Sequence, residues 1–200
     1  MPDNFDLLLW VGNKALYLWD RKRGELDPLP YPVPAEPVPG LPRWALLWGE
    51  DGQAETGALR RRTGAGPLSR RRVLLAVPDD ACWMERRALE DFVRMACIER
   101  RGEKGLVLRF QGELLGAGEP VCLALNWSCR CVTASLVQGG RVLRRRHGAL
   151  HGAGQDSAED LAASLGPYPL YAPGLEAPPA EFPPCIRQSL VDLGERALGR

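Results

Sequence analysis

The stretch VLLAVPDDACWMERRALEDFVRMACI, residues 73–98, decides how this chain folds. Its first five residues are all apolar and the run ends at Pro78, which is typical of a buried strand followed by a turn. After the turn, apolar residues recur at helical spacing, at Met84, Ala88, Phe92, Met95 and Cys97. The pattern predicts a buried strand joined to an amphipathic helix, and Asp79 or Asp80 can cap that helix.

A β-hairpin is predicted near the start of the chain. Residues 5–11 and 15–19 are apolar and aromatic, and Gly12, Asn13 and Lys14 between them can form a tight turn. Because nearly every residue of both runs is apolar, we expect a strand pair that is buried on both faces by helices. A third strand is predicted near Gly24–Leu26.

Further strands are predicted after residues 73–98. Residues 105–110 and 121–125 are predicted as strands with a helical turn at 113–115, and residues 132–137 and 141–143 form a hairpin at Gly139-Gly140. A short helix over Asp156–Leu165, capped by Asp156 or Ser157, and a terminal helix over 184–198 complete the series. The order indicates an α/β protein with a mixed β-sheet flanked by helices.

Two proline-rich segments divide the chain. Residues 28–42 contain seven prolines, which excludes a helix or a central strand. This segment is interpreted as an extended connector, either a spacer or a docking site for an aromatic groove. Residues 166–184 form a second such connector. Between them, Trp44–Trp48 is a candidate short strand, and the Arg-rich part through Arg72 is predicted as loop or short helix.

Composition narrows the function classes. The chain has 200 residues, a formal net charge of +1 and six cysteines. A net charge this small argues against a nucleic-acid binder. Arginines do cluster at 60–62, 70–72 and 144–146, however, so binding of these clusters to an anionic surface is an alternative. No apolar run is long enough to span a bilayer, and no signal-peptide pattern begins the chain. We therefore expect a cytoplasmic protein with reduced thiols.

The sequence resembles the actin-like ATPase superfamily. Val77-Pro78, six residues, then Glu85-Arg86-Arg87-Ala88-Leu89 resembles the strand-to-helix junction of the bacterial MreB family. Residues 116–121 (GAGEPV) are similar to the family's helix end and linker, and 122–142 to its following hairpin. The resemblance covers most of residues 5–165, and Hsp70-type chaperones share the architecture. It implies an RNase H-like, actin-type domain with a partial second subdomain.

The resemblance implies that the two phosphate loops are degenerate. In the first loop, Trp10 stands at the metal-organising aspartate, Gly12 is kept, and Asn13 replaces a small hydroxyl residue. In the second loop, the aspartate position falls on Leu125, and the glycine positions on Trp127, Ser128 and Cys129. An indole ring cannot hold a magnesium-bound water. We therefore expect no bound nucleotide, metal or other cofactor.

The remaining functional positions are also altered. The Glu-Pro pair that positions the attacking water in the family falls on Arg109-Phe110, with Glu113 as the nearest carboxylate. The family's Gly-Gly-Asp region is loosely similar to residues 152–156 (GAGQD). With these changes the resemblance implies a pseudo-ATPase and no catalytic residue.

The resemblance also implies a division of the chain. Residues 1–120 would form subdomain I, with the connector 28–42 and a reduced insertion at 43–72. Residues 121–200 would form a partial subdomain II with the connector 166–184. A truncated actin-like domain leaves apolar surface to cover, so we expect a bacterial scaffold module that binds a protein partner, a cytoskeletal filament or itself. The alternative is an ATPase or chaperone-like member of the superfamily.

Three further groups of residues are candidates for sites. Trp83, with Arg86 and Arg87, is a candidate exposed anchor on the predicted helix, although tryptophan more often packs in a core. Cys129, Cys131, His147 and His151 could bind zinc, although their spacing differs from the usual Cys-x2-Cys knuckle. Asp79, Asp80 and Glu85 are interpreted as helix-capping and dipole-compensating residues.

Overall fold

A computed structural model of the chain describes residues 5–32, 41–48, 52–64, 71–97, 105–149, 157–176 and 183–197. The first part of the chain forms five strands: β1 (Leu7–Val11), β2 (Ala15–Asp20), β3 (Glu25–Pro30), β4 (Val73–Val77) and β5 (Leu106–Phe110). Its helices are a 3₁₀ helix (Arg43–Trp48), α1 (Gly52–Thr63), α2 (Trp83–Cys97) and α3 (Gln111–Leu115). The second part contributes β6 (Val121–Trp127), β7 (Cys131–Gln138), β8 (Arg141–Ala149), α4 (Ala158–Ala163), β9 (Leu170–Pro173), β10 (Ile186–Gln188) and α5 (Leu190–Ala197).

The strands form two five-stranded mixed sheets. The first has the order β3-β2-β1-β4-β5 and the second the order β10-β9-β6-β7-β8. In the first, β1, β2 and β3 are antiparallel neighbours, whereas β4 is parallel to β1 and β5 is parallel to β4. In the second, β6, β7 and β8 are antiparallel, β9 is parallel to β6, and β10 is parallel to β9. The second sheet therefore repeats the strand order and directions of the first. The predicted α/β class with mixed sheets flanked by helices is confirmed.

Successive side chains of a strand point to opposite faces of the sheet, so each sheet packs against a different layer on each face. Leu7 and Leu9 of β1 pack with α2 in one core cluster, whereas Leu8 and Trp10 face a second cluster that includes residues of α3, α5 and the second sheet. The outer face of the second sheet, including Leu123, packs against α4 in a third cluster. Because α3 contacts strands of both sheets, the apolar core continues from one sheet to the other.

The hairpins form where the sequence predicts them. Gly139 and Gly140 have φ values of 56° and 70°, which a two-residue hairpin turn requires and side chains disfavour. Ser157 caps α4 by accepting a hydrogen bond from the Asp160 N–H, as predicted. Within the described residues no helix is long and apolar enough to cross a membrane.

Several sequence-based boundaries were wrong. The candidate strand Trp44–Trp48 is a 3₁₀ helix, because Trp44 and Leu47, three residues apart, are the pair buried in the core. The Arg-rich segment after it, predicted as loop or short helix, does contain a helix, α1, of 12 residues. Connector 28–42 begins inside β3, an edge strand in which Pro28 and Pro30 are tolerated.

The second proline-rich connector was also drawn too broadly. Residues 166–184 contain the strand β9, and the terminal helix predicted from residue 184 begins at Leu190, after the strand β10. On α2, the predicted apolar face was rotated: Leu89 and Val93 are buried with Phe92, whereas Met84 and Met95 are exposed.

Candidate functional site

The turn between β1 and β2 meets the carboxyl end of β6. The side-chain amide of Asn13 donates a hydrogen bond to the backbone carbonyl of Trp127 at 3.0 Å. The Gly12 N–H donates to the carbonyl of Ala15 and closes the turn. The structure therefore brings together the two hairpins that the sequence resemblance identifies as phosphate loops.

The space between these hairpins is nearly filled. Trp10 is only 2% exposed, and its side chain lies in the core cluster between the sheets. Trp127 is half-buried. The cavity that these two residues line with Gly12 and Asn13 has a volume of about 20 Å³. That volume accommodates about one water molecule.

Two polar side chains that the sequence analysis did not select line this cavity, Gln111 and Asn126. The Gln111 side-chain amide donates to the carbonyl of Val11 at 2.7 Å. Asn126 Oδ1 is buried and has no hydrogen-bond partner among the described residues. Both are polar residues at the end of an apolar strand, and that position is the signal that could have identified them. Arg109, the position predicted to replace a catalytic residue, is exposed on β5 instead.

The other predicted second-loop positions, and the alternative carboxylate Glu113, lie outside this cavity. Leu125 is fully buried and packs in the core cluster beside α4. Ser128 is buried, and its hydroxyl donates to Asp80 Oδ2 at 2.7 Å. Cys129 is exposed. Glu113 accepts a hydrogen bond from the Phe110 N–H at the start of α3. None of these four side chains lines the cavity that the structure describes between the hairpins.

A carboxylate from the second half contacts the first turn. Glu176, which follows β9, accepts hydrogen bonds from the N–H of Asn13 at 3.2 Å and the N–H of Lys14 at 2.9 Å. It also accepts one from the Tyr17 hydroxyl at 3.1 Å. Burial and Glu176 together raise the pKa of Tyr17 to about 12. The phenol is therefore a neutral donor at neutral pH.

A second polar cluster lies around Asp79, a buried carboxylate. Asp79 Oδ2 accepts hydrogen bonds from the Gly112 N–H at 2.8 Å and the Asn126 amide at 2.6 Å, and Oδ1 accepts one from Ser135 at 3.3 Å. Burial raises its pKa to about 6, although Arg145 and the Gly112 N–H act in the opposite direction. Asp79 thus links the start of α3 to β6 and β7.

Asp80 and Glu85 continue this link at the surface. Arg130, in the turn between β6 and β7, contacts Glu85 through two bonds of 2.7 and 3.1 Å and Asp80 at 3.1 Å. Partial burial opposes ionisation of Glu85, but Arg130 and the Cys82 N–H outweigh it and lower the pKa of Glu85. The prediction that Asp79 or Asp80 caps α2 was wrong. The N–H of Cys82 bonds to Glu85. Asp79 accepts hydrogen bonds from Asn126 and Ser135, and Asp80 accepts them from Ser128 and Arg130, all in the second half.

The candidate anchor on α2 divides into exposed and packed residues. Trp83 is 69% exposed, which agrees with its interpretation as a candidate exposed anchor and not with the alternative of core packing. Arg87 is exposed and pairs with Glu90 and Asp91 on its own helix. Arg86, in contrast, is half-buried over the Phe110 ring at 5.1 Å. Trp83 and Arg87 are therefore available at the surface, and Arg86 packs between elements.

The predicted zinc ligands that the structure describes, Cys129, Cys131 and His147, do not form a metal site. His147 Nδ1 bonds to the Thr133 hydroxyl at 2.9 Å, and Cys131 contacts Asp80 and Thr133. Among the described residues, no group of three or more His, Cys, Asp or Glu residues could hold a metal ion. His151 and the 152–156 region lie outside the described residues.

The strands and helices define a two-sheet α/β protein with polar contacts between its halves. No protein-family model matches the sequence, and no curated protein is similar to it at a significant level. Among solved structures, the chain is similar to MreB5 of Spiroplasma citri bound to ADP, with 15% identity, a TM-score of 0.49, and coverage of 70% of this chain and 50% of that chain. The chain therefore spans about half the length of that protein.

Two further solved structures are similar. The ethanolamine utilization protein EutJ from Carboxydothermus hydrogenoformans has 14% identity and a TM-score of 0.43, over 82% of this chain and 58% of that chain. The AlfA filament bound to AMPPNP has 11% identity and a TM-score of 0.42, over 88% and 83%. All these proteins have the actin-like ATPase fold, the superfamily that the sequence resembles. Because every TM-score is below 0.5, the fold of this chain is assigned from its own strand order and helices.

Proposed function

We propose that this chain is a non-catalytic, MreB-like interaction module that does not bind or hydrolyse ATP. It acts in the cytoplasm by contacting a protein partner, a filament or further copies of itself. The observation that carries the proposal is the filled space between the two hairpins, where Trp10 and Trp127 leave a cavity of about 20 Å³.

Size and chemistry both support this proposal. The cavity between these hairpins accommodates about one water molecule, so a nucleotide would have to displace side chains to enter. The resemblance places the metal-organising aspartate at Trp10, and an indole offers no oxygen ligand for Mg²⁺. The hydrogen bond from Asn13 to Trp127 spans the gap directly. A bound triphosphate would have to break this bond and displace the rings.

The surface of α2 supports a role in protein contact. Trp83 and Met84 are adjacent and are exposed by 69% and 70%. Exposed tryptophan and methionine are enriched at protein interfaces. A net charge of +1 favours a protein partner over nucleic acid.

Calorimetric titration with MgATP tests the absence of nucleotide binding. We expect no saturable heat at millimolar nucleotide, and micromolar binding would contradict the proposal. Sedimentation velocity over a range of concentrations tests the contact role, since self-association should weaken in Trp83→Ala. Leu143→Ala, a change at a residue of β8 that is 56% exposed, is the matched control and should leave association unchanged. A wild-type chain that stays monomeric and that captures no partner from its host would contradict the contact role.

The second candidate is an ATP-binding enzyme or chaperone-like protein. It is favoured by one observation, the polar side chains of Gln111 and Asn126 that line the cavity. These groups could bind a ligand if the two halves moved apart. The same titration separates the candidates, because this one requires saturable MgATP binding.

A further inference from the structure

The strand β8 is an open edge of the second sheet. It pairs with β7 on one side, and the described residues place no strand on its other side. With nine residues and no proline it is the longest edge strand of the two sheets, whereas β3 contains two prolines and β10 has only three residues. Alternate backbone N–H and C=O groups of an edge strand have no partner in the sheet. The backbone of β8 can therefore pair with an added strand.

A bulge divides β8 and sets the length of its regular part. Leu136 of β7 lies opposite Arg144, and the next residue, Val137, lies opposite Val142, so Leu143 is an extra residue with no opposite partner. A bulge bends its strand and increases the local twist. Residues 144–149 stay in uninterrupted register with β7, a length of about six residues that is typical of a strand. This regular part is the stretch that is open to a partner.

The regular part of β8 carries positive charge that the described residues do not balance. The strand contains four arginines and no acidic residue. Arg145 pairs with Asp79 of the first half. Arg144 and Arg146 are exposed, and neither forms an ion pair among the described residues. These two side chains share one face of the sheet, because they lie opposite Leu136 and Ala134, which pack in the cluster with α4.

The charge of β8 decides between a second copy of the chain and an acidic partner. If two copies paired through β8, arginines of one copy would lie beside arginines of the other, and like charges opposite each other destabilise a strand pair. Alternate residues of a strand share a face. An extended segment with Asp or Glu at every second position would therefore bring carboxylates beside both Arg144 and Arg146, and opposite charges stabilise such pairs.

We propose that β8 is a docking edge for an extended, acidic segment of a partner protein, which joins the second sheet as an added strand. Backbone hydrogen bonds along residues 144–149 hold the segment in place. Arg144 and Arg146 select acidic residues at its alternate positions. The inference rests on the proposed role in protein contact, and it names the chemistry of the partner and a surface other than α2.

Failure of this inference can be told from failure of the proposed function. The MgATP titration concerns the space between the hairpins, and Trp83→Ala concerns contact through α2. Docking of the acidic segment is observed at the amides of residues 144–149. A chain that associates through α2 but does not bind an acidic peptide at β8 would contradict this inference alone.

NMR titration of the full chain with a short peptide that alternates glutamate and threonine tests the docking edge. The amide signals of residues 144–149 should shift saturably, and the edge amides should exchange about tenfold more slowly once they gain a hydrogen-bond partner. The same peptide with lysine in place of glutamate should not bind. A glutamate peptide methylated at alternate backbone nitrogens keeps its charge but loses donors to the edge, and it should not bind either.

Removal of two arginines tests the selection for acidic residues. Arg144→Ala combined with Arg146→Ala should weaken binding of the glutamate peptide by about tenfold, because two cross-strand charge pairs are lost. Both side chains are exposed, so the fold should persist. Arg60→Ala combined with Arg61→Ala removes two exposed arginines from α1. This matched control changes the net charge equally and should bind the peptide like the wild-type chain.

The proposal is overturned if the glutamate peptide leaves the amides of residues 144–149 unchanged, or if the methylated peptide binds as tightly. It is also overturned if the two double variants weaken binding equally, since the effect would then follow net charge alone. Binding of a single-stranded oligonucleotide or of phosphatidylserine vesicles at these amides, in place of the glutamate peptide, would likewise contradict a protein partner at β8.

Discussion

Arg145 and Asp79 form an ion pair, with 3.6 Å between Nε and Oδ1, where β8 of the second sheet meets the turn after β4 of the first. The guanidinium also lies 3.7 Å from the centre of the Phe110 ring. Because the Asp79 side chain is fully buried, its charge is not stabilised by solvent and depends on these neighbours for stabilisation. The pair therefore joins the two halves at a site distinct from the Glu176 contact.

Asp79→Ala should strongly destabilise the fold. The change leaves the Gly112 N–H and the Asn126 amide without their acceptor and Arg145 without its counter-charge. We expect a loss of about 3 kcal/mol in the free energy of unfolding at neutral pH, measured by urea denaturation. Asp27→Ala, which breaks an exposed pair with Arg62, should cost less than ~1 kcal/mol. Equal losses of unfolding free energy for the two variants would contradict the conclusion that the buried Asp79 cluster joins the two halves.

Stability should rise as the pH falls from about 7 to about 5. The pKa of Asp79 is raised from 3.8 to about 6 in the folded chain, so the folded state takes up a proton that the unfolded state does not yet bind. This proton uptake should increase the free energy of unfolding by about 1 kcal/mol over this pH range. Below the ordinary values of 4.5 for Glu85 and 3.8 for Asp20, whose pKa values folding lowers, stability should fall again.

Denaturation at several pH values checks this dependence, with Asp79→Ala as the control. The variant should lack the gain between neutral pH and about 5. A wild-type chain whose stability decreases steadily over that interval would be inconsistent with a raised pKa at Asp79.

The Glu85–Arg130 pair should contribute measurable coupling between the halves. Its two bonds are bidentate, and the side chains are only 20% and 31% exposed. A double-mutant cycle with Glu85→Ala and Arg130→Ala should give about 1 kcal/mol, reduced by added salt. The exposed Arg87–Asp91 pair should give close to zero in the same experiment. A coupling energy near zero for both pairs would mean that Arg130 does not tie β6–β7 to α2.

Much of the fold follows from local patterns in the sequence. The fully apolar runs of β1, β2 and β4 and the paired glycines at 139–140 predict strands and hairpins because burial and turn geometry are set within a few residues. The 3₁₀ helix was missed since Trp44 and Leu47 give too short a pattern to distinguish helix from strand. The strands β9 and β10 have only four and three residues and lie among prolines, so periodicity cannot reveal them.

The site was harder to predict because its partners are far apart in the chain. Asp79 contacts groups 33, 47 and 56 residues away, and a local pattern shows only an acidic residue before a helix. Glu176 is likewise separated from Asn13 by 163 residues. The resemblance located the two hairpins, but only the fold identifies which polar side chains lie between them.

A pair of glycine substitutions tests the packing of α5. A Cβ at Gly194 would lie 2.7 Å from the ring of Trp19, which is buried and cannot move aside easily. Gly194→Ala should therefore destabilise the fold by about 1–3 kcal/mol, although alanine is the better helix former. Gly57→Ala, in α1 with no close contact, should stabilise it by up to about 1 kcal/mol. Thermal unfolding of both variants measures these changes in stability. Stabilisation by both substitutions would show that α5 does not pack on Trp19.

Hydrogen exchange with and without MgATP tests most directly whether the space between the hairpins excludes nucleotide. We predict that saturating MgATP leaves the exchange rates of residues 10–17 and 125–130 unchanged. Slower exchange of both segments in the presence of MgATP would show that nucleotide enters between them and would contradict the account.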